Sequence, residues 1–255
     1  MIPRDGFLGV HGADPVSVDV GLVERGLALA GLVVTAPAMA VAALAIRRSS
    51  RGPVLFRAER VGQEGRPFTM LKLRTMHTGS EQLGEITGGK DVRIFPAGRV
   101  LRRLKLDEVP QLVNILRGEM AFVGPRPEAP AIVESHYRPW MRETLRVPPG
   151  VVGPGSLWYF QQEDALPPDA DLAESFYVET LLPRKLAREL VFVRRPSLSY
   201  RCELVARTLL GILGLGRLMD SYRLREELEA ERLLAQVEAE AGDEPDHRRP
   251  ALIED

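Results

Sequence analysis

The feature that most constrains this fold is an uncharged apolar run at residues 26–46, GLALAGLVVTAPAMAVAALAI. As one helix rising about 1.5 Å per residue it would extend about 30 Å, the thickness of a bilayer's hydrocarbon core. A cleaved signal peptide is disfavoured, because the preceding segment is net acidic and the run exceeds the usual signal core of about 7 to 15 residues. The alternative is the core helix of a soluble protein, but a helix apolar on all sides rarely packs inside a domain this small. The run therefore predicts a retained membrane segment.

Pro37 lies in the middle of this run, where it removes a backbone donor and clashes with the preceding turn. This predicts two half-helices, which admit either a kinked span of the bilayer or a re-entrant hairpin that returns to the side it entered. Arg47, Arg48 and Arg51 follow the run and place that end at the cytoplasm by the positive-inside tendency. The other end is ambiguous, so both geometries stay open.

Charge and composition narrow the function classes. The 34 Lys and Arg balance 35 Asp and Glu, which excludes a generally basic nucleic-acid coat protein, and a single Cys with four His offers no zinc-finger spacing. Residues 47–149 nevertheless hold 19 basic and 11 acidic residues, a block that attracts phosphates. Aromatic residues are widely spaced in this block, which argues against nucleic acid as the partner.

The remaining periodicity predicts an α/β chain that is mostly helical. Two short apolar stretches separated by VGQEGRP predict a β-hairpin within residues 52–76. Residues 97–106 and 110–120 have helical spacing, and residues 203–219 indicate a packed or an interfacial helix. Leu224, Leu228 and then Leu234 or Val237 share one face of a predicted solvent-exposed helix, through which a homo-oligomer could form.

Asp107 and Glu108 lie at the break between the two central helices, followed by Pro110. Capping of the second helix is the simpler interpretation of these carboxylates. Arg102 and Arg126 suggest another one, since carboxylates inside a basic pocket suit phosphoryl chemistry. There a divalent ion neutralises a diphosphate, guanidinium groups clamp its oxygens, and a carboxylate can act as the nucleophile.

Three runs carry a resemblance to a known family. They are RGPVLFRAERVGQEGRPFTMLKLRTM at 51–76, DVRIFPAGRVLRRLKLDEVPQLVNILRGEMAFVGPRPE at 91–128 and RVPPGVVGPGSL at 146–157. In this order and spacing they resemble the bacterial sugar transferases, the monotopic phosphoglycosyl transferases. The resemblance implies transfer of a sugar-phosphate from a UDP-sugar to a polyprenyl (undecaprenyl) phosphate, the first membrane step of surface glycan or exopolysaccharide synthesis.

The resemblance also implies roles for individual residues. Asp107 is similar to the family's nucleophile, which forms a phosphosugar-aspartyl intermediate, and Glu108 resembles the second carboxylate, with both placed to bind Mg²⁺. The positions that resemble phosphate contacts are Arg102, Arg126, Lys72 and Arg146. The family's membrane helix breaks at a Ser-Pro pair with both ends cytoplasmic, which implies a monotopic protein on the cytoplasmic face of the inner membrane. Here the pair is Ala36-Pro37, with Thr35 as a candidate back-bonding hydroxyl.

The predicted organisation has five parts: an N-terminal extension at 1–18, a membrane helix at 19–48, a catalytic domain at 49–202, C-terminal helices at 203–241, and a disordered tail at 242–255. The alternative function is a catalytically inactive, membrane-anchored scaffold or binding protein derived from the same fold. The intact Asp107, Glu108, Arg102 and Arg126 argue against it.

Overall fold

In a computed structural model of the chain, the described residues are 21–80, 92–160, 162, 166–167, 170–212 and 220–242. The predicted N-terminal extension, residues 81–91 and all but the first residue of the predicted tail lie outside them. The fold is mostly helical, with one two-stranded antiparallel sheet and one two-stranded parallel sheet. The prediction of a mostly helical chain is confirmed.

Helix α1, Leu22–Ser49, contains the whole apolar run. It is assigned as one helix with Pro37 inside it, rather than as two separate half-helices. The Thr35 hydroxyl donates to the Gly31 carbonyl at 2.6 Å, so the predicted back-bonding to the preceding turn is present. By its length and composition, the helix is long and apolar enough to cross a membrane.

One face of α1 packs on the rest of the protein and the other is exposed. Ala28, Ala42 and Ile46 are buried. Large apolar side chains that are 49% to 85% exposed are Leu22, Val23, Leu27, Leu29, Val33, Val34, Val41 and Leu44. A core helix of a soluble protein would bury such residues, so the exposed face favours the membrane segment over that alternative.

The predicted hairpin is formed by β1, Leu55–Val61, and β2, Pro67–Leu73, which pair antiparallel from Leu55↔Leu73 to Val61↔Pro67. A turn of 3₁₀ helix, Gln63–Gly65, connects them. Arg74, which follows β2 and is buried, ties the hairpin to the end of α1. Its guanidinium donates to Ser50 Oγ and to Ser50 O, each at 2.8 Å.

The predicted central helices are α2, Pro96–Arg103, and α3, Gln111–Arg117, joined by a turn of 3₁₀ helix at Leu106–Glu108. Beyond them, β3, Ala121–Val123, pairs in parallel with β4, Gly150–Val152. This second sheet was not predicted. It depends on glycines, since a Cβ on Gly150 would lie 2.1 Å from the backbone nitrogen of Gly124.

The remaining elements build the C-terminal half around α7, Leu182–Arg194, which continues from a π-helical turn at Tyr177–Leu181. The others are α4, Pro130–His136; a 3₁₀ helix, Pro139–Arg146; α5, Pro154–Phe160; α6, Ala170–Phe176; α8, Leu198–Ile212; and α9, Asp220–Gly242. The predicted boundary between residues 202 and 203 falls inside α8, and residues 213–219 lie outside the description.

Helix α9 packs on α7 instead of standing free in solvent as predicted. Ala230 is fully buried in a cluster with Ala187 and Val191, and Leu233 and Leu234 pack against it. The sequence pattern missed this contact because the seam uses a small residue, Ala230, beside the leucines. Oligomerisation through this helix stays a prediction.

Candidate active site

Asp107 and Glu108 form most of the single 3₁₀ turn between α2 and α3. Lys105, the residue before this turn, adopts φ 55° and ψ 19°. This left-handed conformation is uncommon outside glycine, and it turns the chain sharply after α2. The N-terminus of α3 has no side-chain cap hydrogen bond among the described residues. The capping interpretation of the two carboxylates is therefore wrong, and they are available to other partners.

Glu108 is paired with Arg126. The guanidinium donates to Glu108 Oε1 at 2.9 Å and to Oε2 at 3.5 Å, and Lys105 Nζ lies 3.9 Å from Oε1. Burial acts to raise the pKa of Glu108, but the positive charges of Arg126, Lys72 and Lys105 outweigh it and hold the pKa well below its ordinary value. Glu108 is therefore an anion at any physiological pH.

Asp107 is 8% exposed, and its Oδ1 is buried with no hydrogen-bond partner within the described part of the chain. Burial and the negative charge of Glu108 raise the pKa of Asp107, while Lys72, Lys105 and Arg102 act in the opposite direction. A buried carboxylate oxygen that no protein donor engages is costly unless a ligand completes it. Asp107 is thus the carboxylate of the pair that is open to chemistry.

Lys72 and Arg102 complete the basic surroundings. Lys72, on β2, has a pKa lowered to about 7 by burial first and then by the charge of Arg126, against the opposing influence of Glu108 and Asp107. Arg102, in the last turn of α2, donates through Nε to Thr75 Oγ1 at 2.9 Å, and its charge acts on Asp107. The structure thus brings Lys72, Arg102 and Arg126 together around the two carboxylates.

The structure places the other two predicted residues differently. Arg146, at the end of the 3₁₀ helix Pro139–Arg146, has an exposed side chain, and its main-chain carbonyl accepts a hydrogen bond from Gln63 Nε2 at 3.0 Å. It therefore holds the hairpin turn, and its phosphate contact stays a prediction. Pro37 lies inside α1. On one side of it along the helix, Gly31 lies close to Leu112, and on the other side Met39 packs in the same cluster as Leu106.

Sequence reasoning missed several functional candidates. They are Glu128 at the end of the GPRPE motif, Lys185 and Glu189 on α7, and Gln111 at the start of α3. All are buried or nearly so. A charged residue within an apolar helical pattern, such as Lys185 or Glu189 in KLARELVF, is the signal that could have found the α7 pair.

The two carboxylates are the only metal-ligand candidates that the site supplies, because no group of three or more His, Cys, Asp and Glu suited to a metal occurs among the described residues. Mg²⁺ binds proteins through one or two carboxylates and completes its shell with water and substrate phosphates. The unengaged Asp107 Oδ1 beside anionic Glu108 fits such an ion in chemistry and charge.

Sequence comparison relates the chain to known proteins. The family model described as bacterial sugar transferase matches residues 21–214. A UDP-glucose:undecaprenyl-phosphate glucose-1-phosphate transferase of Caulobacter vibrioides is 50% identical over 98 residues, 38% of this chain and 36% of that protein. The enzyme of that name from Escherichia coli is 38% identical over 125 residues, 48% of this chain and 27% of that protein.

A third relative, the UDP-N-acetylgalactosamine-undecaprenyl-phosphate N-acetylgalactosaminephosphotransferase of Aeromonas hydrophila, is 33% identical over 162 residues, 61% of this chain and 38% of that protein. The matched part of the chain thus spans only 27% to 38% of the length of these three relatives. The family match, by contrast, covers well over half of this chain and includes α1, the carboxylate pair and α7. The chain belongs to the bacterial sugar transferase family.

Proposed function

We propose that the chain is a phosphoglycosyl transferase that moves a sugar-1-phosphate from a UDP-sugar to polyprenyl phosphate, initiating surface glycan or exopolysaccharide synthesis. The observation that carries the proposal is a buried carboxylate pair, Asp107 and Glu108, in which only Glu108 is neutralised by an arginine. The names of the relatives, which specify undecaprenyl phosphate as acceptor and UDP-glucose or UDP-N-acetylgalactosamine as donor, support the same substrate classes.

In the first step the Asp107 carboxylate attacks the phosphorus that carries the sugar. A bond forms between a carboxylate oxygen and this phosphorus, the bond to UMP breaks, and UMP leaves with the electron pair. The raised pKa of Asp107, caused by burial and by Glu108, makes its carboxylate more basic and so a better nucleophile. In the second step a polyprenyl phosphate oxygen attacks the same phosphorus, and Asp107 leaves as the carboxylate.

The basic side chains bind the diphosphate of the donor. Arg126 uses two of its five N–H donors on Glu108, so others remain to contact phosphate oxygens. Lys72 and Arg102 contribute two more positive charges on the Asp107 side of the site. A Mg²⁺ ion held by Asp107 and Glu108 would supply further neutralisation of the diphosphate and of the departing UMP.

The contacts of α1 support a re-entrant, monotopic topology. At its first turn Glu24 pairs with Arg201 of α8 at 3.4 Å, and Arg25 lies against Gly118 at the end of α3. At its other end Ser50 is bonded to Arg74. Both ends of α1 are thus held by the body of the protein, which a helix crossing the bilayer away from that body could not achieve.

The proposed setting is the cytoplasmic face of the inner membrane. Arg47 and Arg48 in the last turn of α1 favour the cytoplasmic side, and the exposed apolar face of α1 supplies the lipid contact. A polyprenyl phosphate keeps its chain in lipid and its phosphate at the headgroup level, where this anchored site would meet it.

Release of UMP tests the proposal. The full chain in membrane fractions is incubated with Mg²⁺ and a panel of UDP-sugars, with and without undecaprenyl phosphate. We expect UMP from one donor, dependent on the lipid, with no turnover by Asp107→Ala or Asp107→Asn. Glu134→Ala, which removes an exposed carboxylate of α4, is the matched control and should retain wild-type turnover.

Other products would point to other functions. Release of UDP would show an ordinary glycosyl transferase and refute the aspartyl mechanism. Wild-type turnover by Asp107→Ala would refute the assignment of the nucleophile. No nucleotide release from any donor would favour the inactive scaffold, which otherwise has no observation in its support.

A further inference from the structure

A second cluster of charged groups lies in the interior behind the carboxylate pair. Lys185 of α7, which is 3% exposed, contacts Glu128 Oε1 with its ammonium group. Tyr177 donates its hydroxyl hydrogen to the same oxygen at 2.7 Å. Burial and the charge of Glu128 raise the pKa of Tyr177 well above its ordinary value, so the phenol keeps this hydrogen. Two groups thus converge on one carboxylate oxygen.

This cluster is joined to the site through Arg126, which precedes Glu128 by two residues. Pro125 and Pro127 flank Arg126 and restrict the backbone around it. The Arg126 N–H points to Glu189 Oε1 of α7 at 3.5 Å, a long contact, while the Glu128 carbonyl accepts a hydrogen bond from Val61 N at 3.0 Å. The main chain of this segment is therefore held, so that a change in the position of the Arg126 guanidinium would have to come from a change in its side-chain conformation.

Two carboxylates act on the Arg126 guanidinium. Glu108 has the larger influence and Glu128 a smaller one in raising the pKa of Arg126. Without a counter-ion, Glu128 would be a buried charge whose desolvation is expensive, and an arginine two residues away could relieve it. Each guanidinium N–H taken by Glu128 would be lost to Glu108 or to a substrate phosphate.

We propose that Lys185 is a positioning residue of the site: by neutralising Glu128 it leaves the Arg126 guanidinium directed at Glu108 and the donor diphosphate. This inference rests on the proposed function, because its effect is measured as turnover. Lys185 itself touches no reacting group and acts only through the competition between Glu128 and Glu108.

The charge state of Glu128 offers a readout that a purely structural role would not move. Burial acts to raise the pKa of Glu128, and the charge and hydrogen bond of Lys185 lower it below its ordinary value. The titratable and charged groups around Glu128 are Lys185 and Glu189 from α7, Tyr177 and Tyr137, Tyr159 from α5, Arg60 from β1 and Arg126. Removal of Lys185 takes away the largest of the lowering influences, so the pKa of Glu128 should rise.

Three variants of the full chain in membranes test this competition: Lys185→Met, Glu128→Gln, and the double variant. We expect Lys185→Met to lower kcat for UMP release at pH 8 by about tenfold or more, because misplacement of a clamping group is costly. The ratio of its kcat to the wild-type kcat should rise as the pH falls, since protonated Glu128 no longer competes. The double variant, which has no competing carboxylate, should recover to within about threefold of the wild type.

The matched control is Arg194→Met with Glu143→Gln, which removes an ion pair at the far end of α7, where the Arg194 side chain is 45% exposed. It should leave kcat unchanged. Thermal unfolding identifies the folded variants.

A pH-independent activity ratio, or a folded double variant no better than Lys185→Met, would overturn the proposal. If Lys185→Met does not fold, Glu128→Gln is the deciding variant. A folded Glu128→Gln protein whose kcat falls by more than about tenfold would contradict a competition between Glu128 and Glu108 for Arg126. Failure of the proposed function is distinguishable from these outcomes, because in that case the wild type itself releases no UMP.

Discussion

Lys72 is a residue whose charge state depends strongly on its surroundings. Burial and the nearby Arg126 lower the pKa of Lys72 to about 7, so the neutral amine is already a major species near physiological pH. Only the ammonium form attracts a diphosphate. Binding of the donor to the free enzyme should therefore weaken as the pH rises through about 7.

This predicts a descending limb in the pH profile of kcat/KM for the UDP-sugar, which reports groups of the free enzyme. In Lys72→Arg the limb should move to a pH above 9 or vanish, because a guanidinium keeps its proton there. Steady-state UMP release between pH 6 and 9 measures both profiles. Identical limbs in the wild type and Lys72→Arg would assign the titration to another group.

At the scale of residues, local patterns predicted the carboxylates and the arginines but not their pairing. Asp107, Glu108, Arg102 and Arg126 were singled out because charged groups flank a helix break. The partner of Glu108 is 18 residues away, and that of Glu128 is 57 residues away at Lys185. Such pairs form only when separate elements meet, which periodicity along one element does not encode.

One face of helix α3 carries two buried amide side chains, Asn114 and Gln111, which differ in their hydrogen bonding. Asn114 accepts a hydrogen bond from Leu71 N at 3.0 Å and donates to Thr69 O at 2.7 Å, which fastens α3 to β2. Gln111, one turn earlier on the same side, is fully buried, yet neither of its amide atoms has a hydrogen-bond partner in the described regions. An unpaired buried amide contributes cost rather than stability.

We therefore expect opposite effects of two matched substitutions on thermal unfolding. Gln111→Leu should leave Tm unchanged or raise it, because a buried amide is replaced by an apolar group of similar size. Asn114→Leu should lower stability by about 2 kcal/mol, about 5 °C in Tm for a chain of this size, since it strands two backbone groups of β2. A loss in Gln111→Leu as large as in Asn114→Leu would mean that Gln111 has a partner in the folded protein.

The elements themselves were predictable to the extent that their signals are local. The hairpin of β1 and β2 is defined by two apolar stretches around a Gly-rich turn, and α2 and α3 by helical spacing. The parallel pair β3 and β4 was missed because each strand is three residues long, too short to show alternation. Its register depends instead on the close approach of Gly124 and Gly150, a long-range contact.

At the scale of the whole molecule, the contacts of α1 support the proposed re-entrant topology. The catalytic elements pack along the length of this helix, from Arg25 at Gly118 to Ile46 in the cluster with Leu73. The opposite face of α1 is apolar and exposed. In the proposed re-entrant topology, a helix clamped in this way would keep both of its ends on the side of the catalytic elements, whereas residues 26–46 alone fit a span equally well.

The only cysteine of the sequence makes this topology measurable. Cys202 is exposed and follows Arg201, which pairs with Glu24, so its labelling reports the first end of α1. Arg51→Cys in a Cys202→Ser background reports the other end, where residue 51 is exposed. We expect a membrane-impermeant maleimide to label both proteins in inverted vesicles and neither in intact spheroplasts, with detergent-treated samples as the control for reactivity. If each preparation labels only one of the two cysteines, α1 spans the bilayer. In that case the ion pair of Glu24 with Arg201 cannot coexist with the hydrogen bonds of Ser50 to Arg74, because the two ends of α1 lie on opposite sides.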